Sequence, residues 1–298
     1  MSLGGQAAGI VVAAHGRHYV VQAVVPPGQG TLVRCVPRGK KSNLACGDRV
    51  RIAMTGRDTG VIEGFEPRVS LFLRAAPHRQ KLIAANATQI AIVVAGEPSF
   101  SDELVCRILV AAENQGIKAL VVLNKADLES ATRAAEARLR QFERAGYLLL
   151  AISARTDVAP LAARLTDETT VLIGQSGMGK STIVNGLVPG ADLRTQEIST
   201  FLDSGRHTTS LTRLFRLPGG GAIIDSPGLQ EFGLAHLTRA QIEHGFPELR
   251  ALAGHCRFSD CRHDTEPGCA VLAAVAAGRI EARRLELLQR ILAAERRQ

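Results

Sequence analysis

Tryptophan is absent from this chain of 298 residues, and aromatic residues make up only 4% of it. Stacking of bases on aromatic side chains is therefore expected to contribute little to any contact with nucleic acid. The sequence has no apolar run near the roughly 18 residues of a membrane span, and its start, MSLGGQAAG, lacks the basic and apolar regions of a secretory signal. We therefore expect a cytoplasmic protein that has no membrane partner.

Acidic residues are fewer than basic ones: 28 Asp and Glu stand against 36 Lys and Arg and leave a net charge of +8. This surplus indicates an anionic partner such as nucleic acid and carries no information about the fold. The length predicts two or three domains at about 100 to 200 residues each. A hydrophobic content of 46% allows each domain to bury a core.

Short β-branched runs separated by turn sequences occupy the first part of the chain, residues 1–74. The predicted strands are 9–12, 19–25, 31–35, 49–54 and 60–63. Their spacing of about 8 to 12 residues is that of small barrels and sandwiches. It fits an OB-like barrel as well as an SH3-like or other small β domain.

Beyond residue 80, apolar strand runs alternate with longer helical stretches, a pattern typical of a mostly parallel βαβ sheet. The predicted strands are 89–95, 119–123, 147–152, 170–174 and 222–225, and the predicted helices are 101–115, 128–145 and 180–187. Further helices at 238–253 and 270–297 flank a loop rich in Cys and His. We therefore divide the rest of the chain into domains at 75–235 and 236–298.

Residues 174–181, GQSGMGKS, match the phosphate-binding loop G-x-x-x-x-G-K-[ST] between a predicted strand and a predicted helix. Small residues let the backbone amides surround a polyphosphate, and the helix presents its positive end to that charge. Lys180 is expected to reach the β- and γ-phosphates, and Ser181 to coordinate Mg²⁺. A glycine-rich turn without a ligand is the weaker alternative, because the flanking elements are those that the motif requires.

A second phosphate-side motif, Asp225-Ser226-Pro227-Gly228, ends the strand predicted at 222–225. A carboxylate at such a strand tip can hold Mg²⁺ through water, and the amide of Gly228 can sense the γ-phosphate. Alone, this sequence would be an ordinary turn. Its position about 50 residues after the phosphate-binding loop favours the functional interpretation.

The sequence Asn124-Lys125-Ala126-Asp127 follows another predicted strand and predicts a guanine site. The carboxylate of Asp127 can accept hydrogen bonds from N1 and N2 of guanine, whereas adenine has no such donor pair. Elsewhere these residues could serve as a helix N-cap. Ser153-Ala154, after the next strand, is interpreted as the element behind the guanine.

The order of these motifs differs from that of an ordinary small GTPase, in which the phosphate-binding loop comes first. Here the guanine-binding motifs precede it, so a circularly permuted domain is predicted; termini that lie close together allow this. The chain then passes from Gly228 directly into the C-terminal domain. We hypothesise that the nucleotide state is relayed to residues 236–298, because γ-phosphate contacts commonly order switch segments.

Switch I is expected between Asn185 and a strand at 211–217, and its candidate is the sequence GRHTT at 205–209. The hydroxyl of Thr208 or Thr209 could complete the Mg²⁺ shell. Leu229 stands directly after Gly228, where Ras-like proteins have a glutamine that orients water, so slow intrinsic hydrolysis is expected. His207 is the nearest polar candidate for that role; a solvated loop residue or a partner contact is the alternative.

Three of the six cysteines lie in one short segment with a histidine, at the spacing C-x₄-C-x-H-x₅-C. Thiols of an unexported protein are expected to be reduced. Three thiolates and one imidazole satisfy tetrahedral Zn²⁺ and leave no open position, which favours a structural site over a catalytic one or a chance cluster. The ligands would be Cys256, Cys261, His263 and Cys269. The other three cysteines, Cys35, Cys46 and Cys106, are interpreted as apolar fillers.

In combination, these motifs resemble the ribosome small subunit-dependent GTPase A family (RsgA, also called YjeQ). The resemblance implies an N-terminal OB-fold that binds RNA, a circularly permuted GTPase domain and a C-terminal helical zinc-binding domain. It implies hydrolysis of GTP to GDP and phosphate with Mg²⁺, stimulated by the small ribosomal subunit late in its assembly. Ribosomal RNA would be the anionic partner, and a monomer is the default. A GTP-dependent RNA-binding scaffold with negligible turnover is the alternative function; a P-loop ATPase or kinase is disfavoured by Asn124 and Asp127.

Carried over residue by residue, the resemblance implies nucleotide binding, magnesium, zinc and catalytic positions. Nucleotide binding falls on Asn124, Lys125, Asp127, Ser153, Ala154, Gly174, Gln175, Ser176, Gly177, Met178, Gly179, Lys180, Ser181, Thr182, Asp225 and Gly228. Magnesium falls on Ser181 with Thr208 and Thr209, zinc on Cys256, Cys261, His263 and Cys269, and assistance to catalysis on His207. The sequence 201–205, FLDSG, departs from the basic, glycine-rich lead that is frequent in the family.

Overall fold

The computed structural model describes residues 6–24, 30–39, 43–76, 79–192, 195–196 and 211–296. A closed barrel forms the first part of the chain, in the strand order β1-β2-β3-β5-β4 with β4 pairing back onto β1. Strands β3 and β5 are parallel, and the other neighbouring pairs are antiparallel. The strands are β1 (Gln6–His15), β2 (His18–Val24), β3 (Thr31–Pro37), β4 (Arg49–Met54) and β5 (Thr59–Phe65).

Alternate side chains of these strands fill the barrel, because successive residues of a strand point to opposite faces. Val11, Val21, Val33, Ile52 and Ile62 are buried there in one core. Closure removes the exposed strand edges that an open sheet would leave. Of the small β domains that fitted the sequence, the OB-like barrel is confirmed.

A β-hairpin that the sequence pattern did not predict follows the barrel, formed by β6 (Leu71–Ala76) and β7 (Arg79–Ala85). These strands contain few β-branched residues, which is why they were missed. Phe72 is fully buried, and its ring centroid lies 5.4 Å from that of Phe232. The boundary proposed after residue 74 falls within β6 and stays a prediction.

The next part is an α/β sheet with the order β10-β9-β8-β11-β13-β12, parallel except for β12, which runs antiparallel to β13. All seven residues of β8 are buried, as expected for a parallel strand covered on both faces. The strands are β8 (Gln89–Ala95), β9 (Lys118–Asn124), β10 (Leu148–Ala151), β11 (Thr169–Ile173), β12 (Thr212–Arg216) and β13 (Ala222–Asp225). The helices are α1 (Asp102–Asn114), α2 (Glu129–Arg144), α3 (Ala159–Leu165) and α4 (Lys180–Leu187).

The barrel and the α/β sheet are joined through one strand pair. Ala13 and Ala14 of β1 pair antiparallel with Arg213 and Thr212 of β12. The barrel is therefore fixed to the edge strand that follows the predicted switch I. The carboxyl ends of β9, β10, β11 and β13 meet at one edge of the sheet, because these strands are parallel.

Helices form the last described part of the chain: α5 (Arg239–His244), α6 (Pro247–Arg250), α7 (Ala270–Ala276) and α8 (Ala282–Arg296). The helix predicted at 238–253 is divided, because Gly245 ends α5 and Pro247 begins α6. The helix predicted at 270–297 is divided at Gly278, whose φ of 68° is left-handed. In the described ranges, no helix has the length and apolar character needed to cross a bilayer.

The C-terminal helices pack on the α/β part through a buried arginine. Arg284 of α8 is only 2% exposed, and its Nε donates to Oε1 of Glu248 over 2.6 Å. Its guanidinium lies 4.6 Å from the ring centroid of Phe246 and donates to Sγ of Cys106 on α1. The buried charge is thus paired and covered by aromatic surface, which such a group requires.

Candidate functional site

The phosphate-binding motif forms a tight loop between β11 and α4, and close contacts explain its glycines. A Cβ atom on Gly174 would lie 2.2 Å from the carbonyl oxygen of Val93 on β8. Gly179 has a φ of 89°, and its Cβ atom would lie 2.3 Å from Nδ2 of Asn124. Gly177 is also left-handed, with a φ of 81°. The backbone can adopt this loop only because these positions lack side chains.

Lys180 begins α4 and folds back into the loop. Its Nζ donates to the carbonyl oxygens of Gly174 and Gln175, each over 2.8 Å. Burial lowers the pKa of Lys180, and the carboxylate of Asp225 opposes this shift. A buried, shielded ammonium group at the start of a helix can bind an anion strongly.

Asn124 connects the two guanine motifs to the phosphate-binding loop. It ends β9 and is only 2% exposed. Its Nδ2 donates to the carbonyl oxygen of Met178 over 2.9 Å, and its Oδ1 accepts from the amide of Ala154 over 3.0 Å. Both ends of its amide group therefore bind protein, so the side chain holds the three motifs in register.

Asp127 and Ser153 lie side by side after β9 and β10. The hydroxyl of Ser153 donates to Oδ1 of Asp127 over 2.6 Å. This bond is the main reason that the pKa of Asp127 is lowered. The ionised carboxylate is a pure acceptor, which suits the two N–H donors on one edge of guanine. Lys125 is left-handed, with a φ of 63°, and its Nζ donates to the carbonyl oxygen of Glu97 over 2.8 Å.

Asp225 ends β13 next to the phosphate-binding loop. Burial raises its pKa to about 6, against the pull of Lys180 and Arg213. Arg213 is the residue opposite Asp225 in the β12–β13 pair, and its Nη1 donates to Oγ1 of Thr195 over 3.2 Å. Arg213 has no sequence signal for this position, because its proximity to Asp225 depends on the register of that strand pair.

Gly228 and Leu229 bring the segment after Asp225 back to the loop. A Cβ atom on Gly228 would lie 3.1 Å from N and Cα of Ser176 and 3.4 Å from Nζ of Lys180. The amide of Leu229 donates to the carbonyl oxygen of Gly174 over 3.1 Å. The side chain of Leu229 is buried and apolar, so it has no group that could hold a water molecule.

Together these elements line one cavity of about 820 Å³, within the usual range for small-molecule sites. The predicted residues along it are Asn124, Lys125, Asp127, Ser153, Ala154, Ser176, Gly177, Gly179, Lys180, Ser181, Thr182, Asp225 and Gly228. Among the lining residues that the sequence analysis missed are Leu128, Arg155, Arg213 and Gln230. Gly174, Gln175 and Met178 contribute their backbone carbonyl oxygens, which accept from Lys180 and Asn124. His207, Thr208 and Thr209 lie outside the described residues.

A second site lies between α5 and α7, where four ligand atoms are within 4.8 Å of one another. Nδ1 of His263 is 3.6 Å from Sγ of Cys256 and of Cys261 and 3.4 Å from Sγ of Cys269. Cys256 and Cys269 have their Sγ atoms 3.9 Å apart. Around a tetrahedral Zn²⁺ the usual bond lengths give about 3.5 Å for S···N and about 3.8 Å for S···S. The cluster could therefore hold a metal ion of this size.

Burial shifts the pKa values of two ligands in this cluster. Burial lowers the pKa of His263, which favours the neutral imidazole that a metal requires. Burial raises the pKa of the Cys261 thiol to about 12, a shift that a bound metal ion would reverse. By contrast, Cys35, Cys46 and Cys106 are buried and separate from the cluster. Cys106 differs from a simple apolar filler, because its Sγ accepts from Nη1 of Arg284.

Comparisons with known proteins agree with this geometry. The family model described as RsgA GTPase matches residues 65–235. The chain is 52% identical to a protein of Burkholderia pseudomallei (strain 1710b) named small ribosomal subunit biogenesis GTPase RsgA, over 93% of this chain and 88% of the relative. A protein of the same name from Paraburkholderia xenovorans is 49% identical, over 96% and 93%.

Two solved structures are similar over nearly the whole chain. One is YjeQ from Thermotoga maritima, with a TM-score of 0.74, 27% identity and coverage of 98% of this chain and 99% of that one. The other is YloQ, described as a circularly permuted GTPase, with a TM-score of 0.71, 24% identity and coverage of 98% and 96%. The permuted fold expected from the motif order is confirmed.

Proposed function

This chain belongs to the RsgA GTPase family and is a GTPase, and from that premise we propose that it hydrolyses GTP during assembly of the small ribosomal subunit. The observation that carries the proposal is the convergence of four separate motifs on one cavity of about 820 Å³. Two of them carry the features for guanine and two carry those for phosphate. Such a combination has little use in an ATPase or in a protein without a nucleotide.

We assign the guanine end of the cavity to Asp127 as the acceptor for N1 and N2 of the base. Ser153 supports its orientation through the 2.6 Å hydrogen bond to Oδ1. The other proposed guanine-site residues are Asn124, Lys125 and Ala154. Asn124 holds the guanine motifs and the phosphate-binding loop together, because its amide group is hydrogen-bonded to Met178 and Ala154.

We assign the phosphate end to residues 174–182, with Lys180 as the cation for the β- and γ-phosphates. Ser181 would coordinate Mg²⁺ directly, Asp225 would hold it through water, and Thr208 or Thr209 would complete the shell. When bound, Mg²⁺ neutralises charge on the transferring phosphoryl group. Gly228 offers its amide to the γ-phosphate. His207 is proposed to assist hydrolysis, because Leu229 cannot orient water.

The proposed partner is the small ribosomal subunit, including its RNA. The relatives' name contains that subunit, and the net charge of +8 provides attraction to RNA phosphates. We propose division at residues 74 and 235, with a barrel that contacts RNA, a nucleotide switch and a C-terminal unit held by one structural Zn²⁺. The protein is proposed to act as a cytoplasmic monomer.

The decisive experiment measures GTP turnover with and without purified small subunits, using large subunits as the control. Stimulation only by small subunits is expected, because the residue directly after Gly228 is Leu229 and not a glutamine that could orient water. Absence of stimulation would favour the alternative, a GTP-dependent RNA-binding scaffold. The same assay with His207→Ala tests the catalytic assignment, with His244→Ala, an exposed position at the end of α5, as the matched control. Wild-type turnover in His207→Ala would remove that role.

A further inference from the structure

Glu243 lies beside the ring of His263, on the side opposite the cysteines. Nδ1 of His263 faces the three Sγ atoms, whereas its Nε2 lies 3.9 Å from Oε1 of Glu243. If Nδ1 binds a metal ion, a neutral imidazole must carry its proton on Nε2. At 3.9 Å the carboxylate of Glu243 is beyond direct hydrogen-bond distance of this N–H but within reach of one bridging water molecule.

Arg239 holds this carboxylate in place from one helical turn away. Its Nε donates to Oε1 of Glu243 over 2.6 Å, and its Nη2 donates to the carbonyl oxygen of Cys261. These two side chains of α5 therefore lie against Cys261 and His263 of the metal loop. Both are about one-third exposed or less, at 32% for Arg239 and 26% for Glu243, so solvent screens the pair only in part.

The position of α5 is itself fixed. Thr238 forms a capping box with Gln241 at its start, and Nδ2 of Asn114 on α1 donates to the carbonyl oxygen of Gln241 over 2.9 Å. On the other side of the loop, Nε2 of Gln289 donates to the carbonyl oxygen of His263 over 2.7 Å. This bond supports the left-handed backbone of His263, whose φ is 60°.

From this geometry we infer that Glu243 is a positioning residue for the metal site, with Arg239 as its support. Histidine ligands almost always donate their second ring N–H to an acceptor, which fixes the ring and increases its basicity as a ligand. The inference rests on the metal site proposed above. It means that the site extends beyond residues 256–269 to α5, the helix that leads from the nucleotide site to the metal loop.

The alternative is that Arg239 and Glu243 form only a surface ion pair. In that case, removal of the Glu243 side chain would leave metal binding unchanged. The test therefore measures the affinity of the full-length protein for Zn²⁺ by competition with a chromophoric chelator. Glu243→Ala should bind Zn²⁺ about 10-fold to 100-fold more weakly, the usual effect of losing such a partner. Glu243→Gln keeps an oxygen that can accept from Nε2–H and should lose less.

Glu286→Ala is the matched control, because Glu286 forms an ion pair with Arg283 within α8, as Glu243 does with Arg239 within α5. It should bind Zn²⁺ like the wild type. Spectra of the Co²⁺-loaded proteins give a second readout, since a displaced imidazole changes the ligand-field bands of a tetrahedral site. If Glu243→Ala matches the wild type within about twofold, a change below the usual effect, the inference is overturned and the metal site stands. If the wild type does not bind Zn²⁺ stoichiometrically, both the metal site and the role of Glu243 are overturned.

Discussion

The backbone amide of Leu234 donates a hydrogen bond to Oε1 of Glu295 over 3.3 Å. Glu295 belongs to α8, and the same oxygen also accepts from Nη1 of Arg107 on α1. On its other side the segment pairs with the hairpin, where the amide of Ala75 donates to the carbonyl oxygen of Gly233 over 3.0 Å. The segment that follows Gly228 is therefore held between β6 and the C-terminal helix.

This arrangement provides a physical route for the hypothesised relay from the nucleotide to the C-terminal helices. In the wild type, hydrogen exchange of residues 236–296 is expected to differ between the GDP state and a GTP-analogue state. Glu295→Ala removes the acceptor of Leu234 and should reduce that difference, whereas Glu286→Ala on the same helix should keep it. Equal protection of the wild type in both nucleotide states would contradict the relay.

Asp127→Asn tests the guanine assignment. The variant replaces one of the acceptors for N1–H and N2–H of guanine by an amide donor, so GTP affinity should fall and xanthine nucleotides should bind better. The expected loss of GTP affinity is about 10-fold to 100-fold, as for an unpaired charge-assisted hydrogen bond. Fluorescent nucleotide titration measures it. Asp167→Asn is the control, because Asp167 lies before β11, at the end of that strand away from the phosphate-binding loop. An unchanged preference for GTP in Asp127→Asn would remove the guanine assignment.

Gly179→Ala tests the tight contact between the phosphate-binding loop and Asn124. The new Cβ would lie 2.3 Å from Nδ2 of Asn124, so the loop must shift. Nucleotide affinity should fall at least about 10-fold, because a displacement of groups that contact the phosphates is costly. Gly278→Ala is the matched control. Gly278 is also left-handed, with a φ of 68°, but its Cβ would meet nothing within 4 Å.

Both variants should therefore lose about 1 kcal/mol or more of stability from the left-handed backbone, measured by chemical denaturation. Only Gly179→Ala should lose nucleotide affinity. Equal nucleotide binding by the two variants would mean that the loop can move away from Asn124 without consequence.

The pH dependence of magnesium binding follows from the position of Asp225. Its pKa is raised to about 6 mainly by burial, so the carboxylate is ionised above that pH and protonated below it. Only the ionised form attracts Mg²⁺. The Mg²⁺-dependent part of GDP affinity should therefore be full near pH 8 and decline as the pH falls through about 6. Titrations with Mg²⁺ and with a chelator separate this part from the rest, and a flat profile would show that Asp225 does not act through its charge.

The motifs that line the cavity could be found in the sequence because each stands at or soon after the end of a strand. Once the strands are parallel, their carboxyl ends must meet, and Asp127, Lys180 and Asp225 come together without further information. The metal cluster was predictable for a similar reason, because its ligands lie within 14 residues of one another.

Contacts that depend on packing between distant segments could not be predicted. Arg213 faces Asp225 only because of one strand register, and Glu295 reaches Leu234 across 61 residues. The use of both polar atoms of Asn124 by protein groups likewise has no sequence signal. In each case the partner is set by tertiary structure, which local pattern and propensity do not specify.

The salt dependence of subunit binding tests whether the barrel contacts RNA. Arg49 and Arg51 are exposed on the outer face of β4, next to the β1 strand that joins the α/β sheet. If these arginines contact RNA phosphates, binding of the wild type to small subunits should weaken steeply with added salt. Each lost contact should make the slope of the logarithm of the binding constant against the logarithm of the salt concentration shallower by roughly 0.7 to 0.9. The double variant Arg49→Gln, Arg51→Gln should thus have a slope that is shallower by about 1.5. Arg140→Gln, at an exposed position on α2, serves as the control. Identical slopes for the wild type and the double variant would exclude this face of the barrel from the RNA contact.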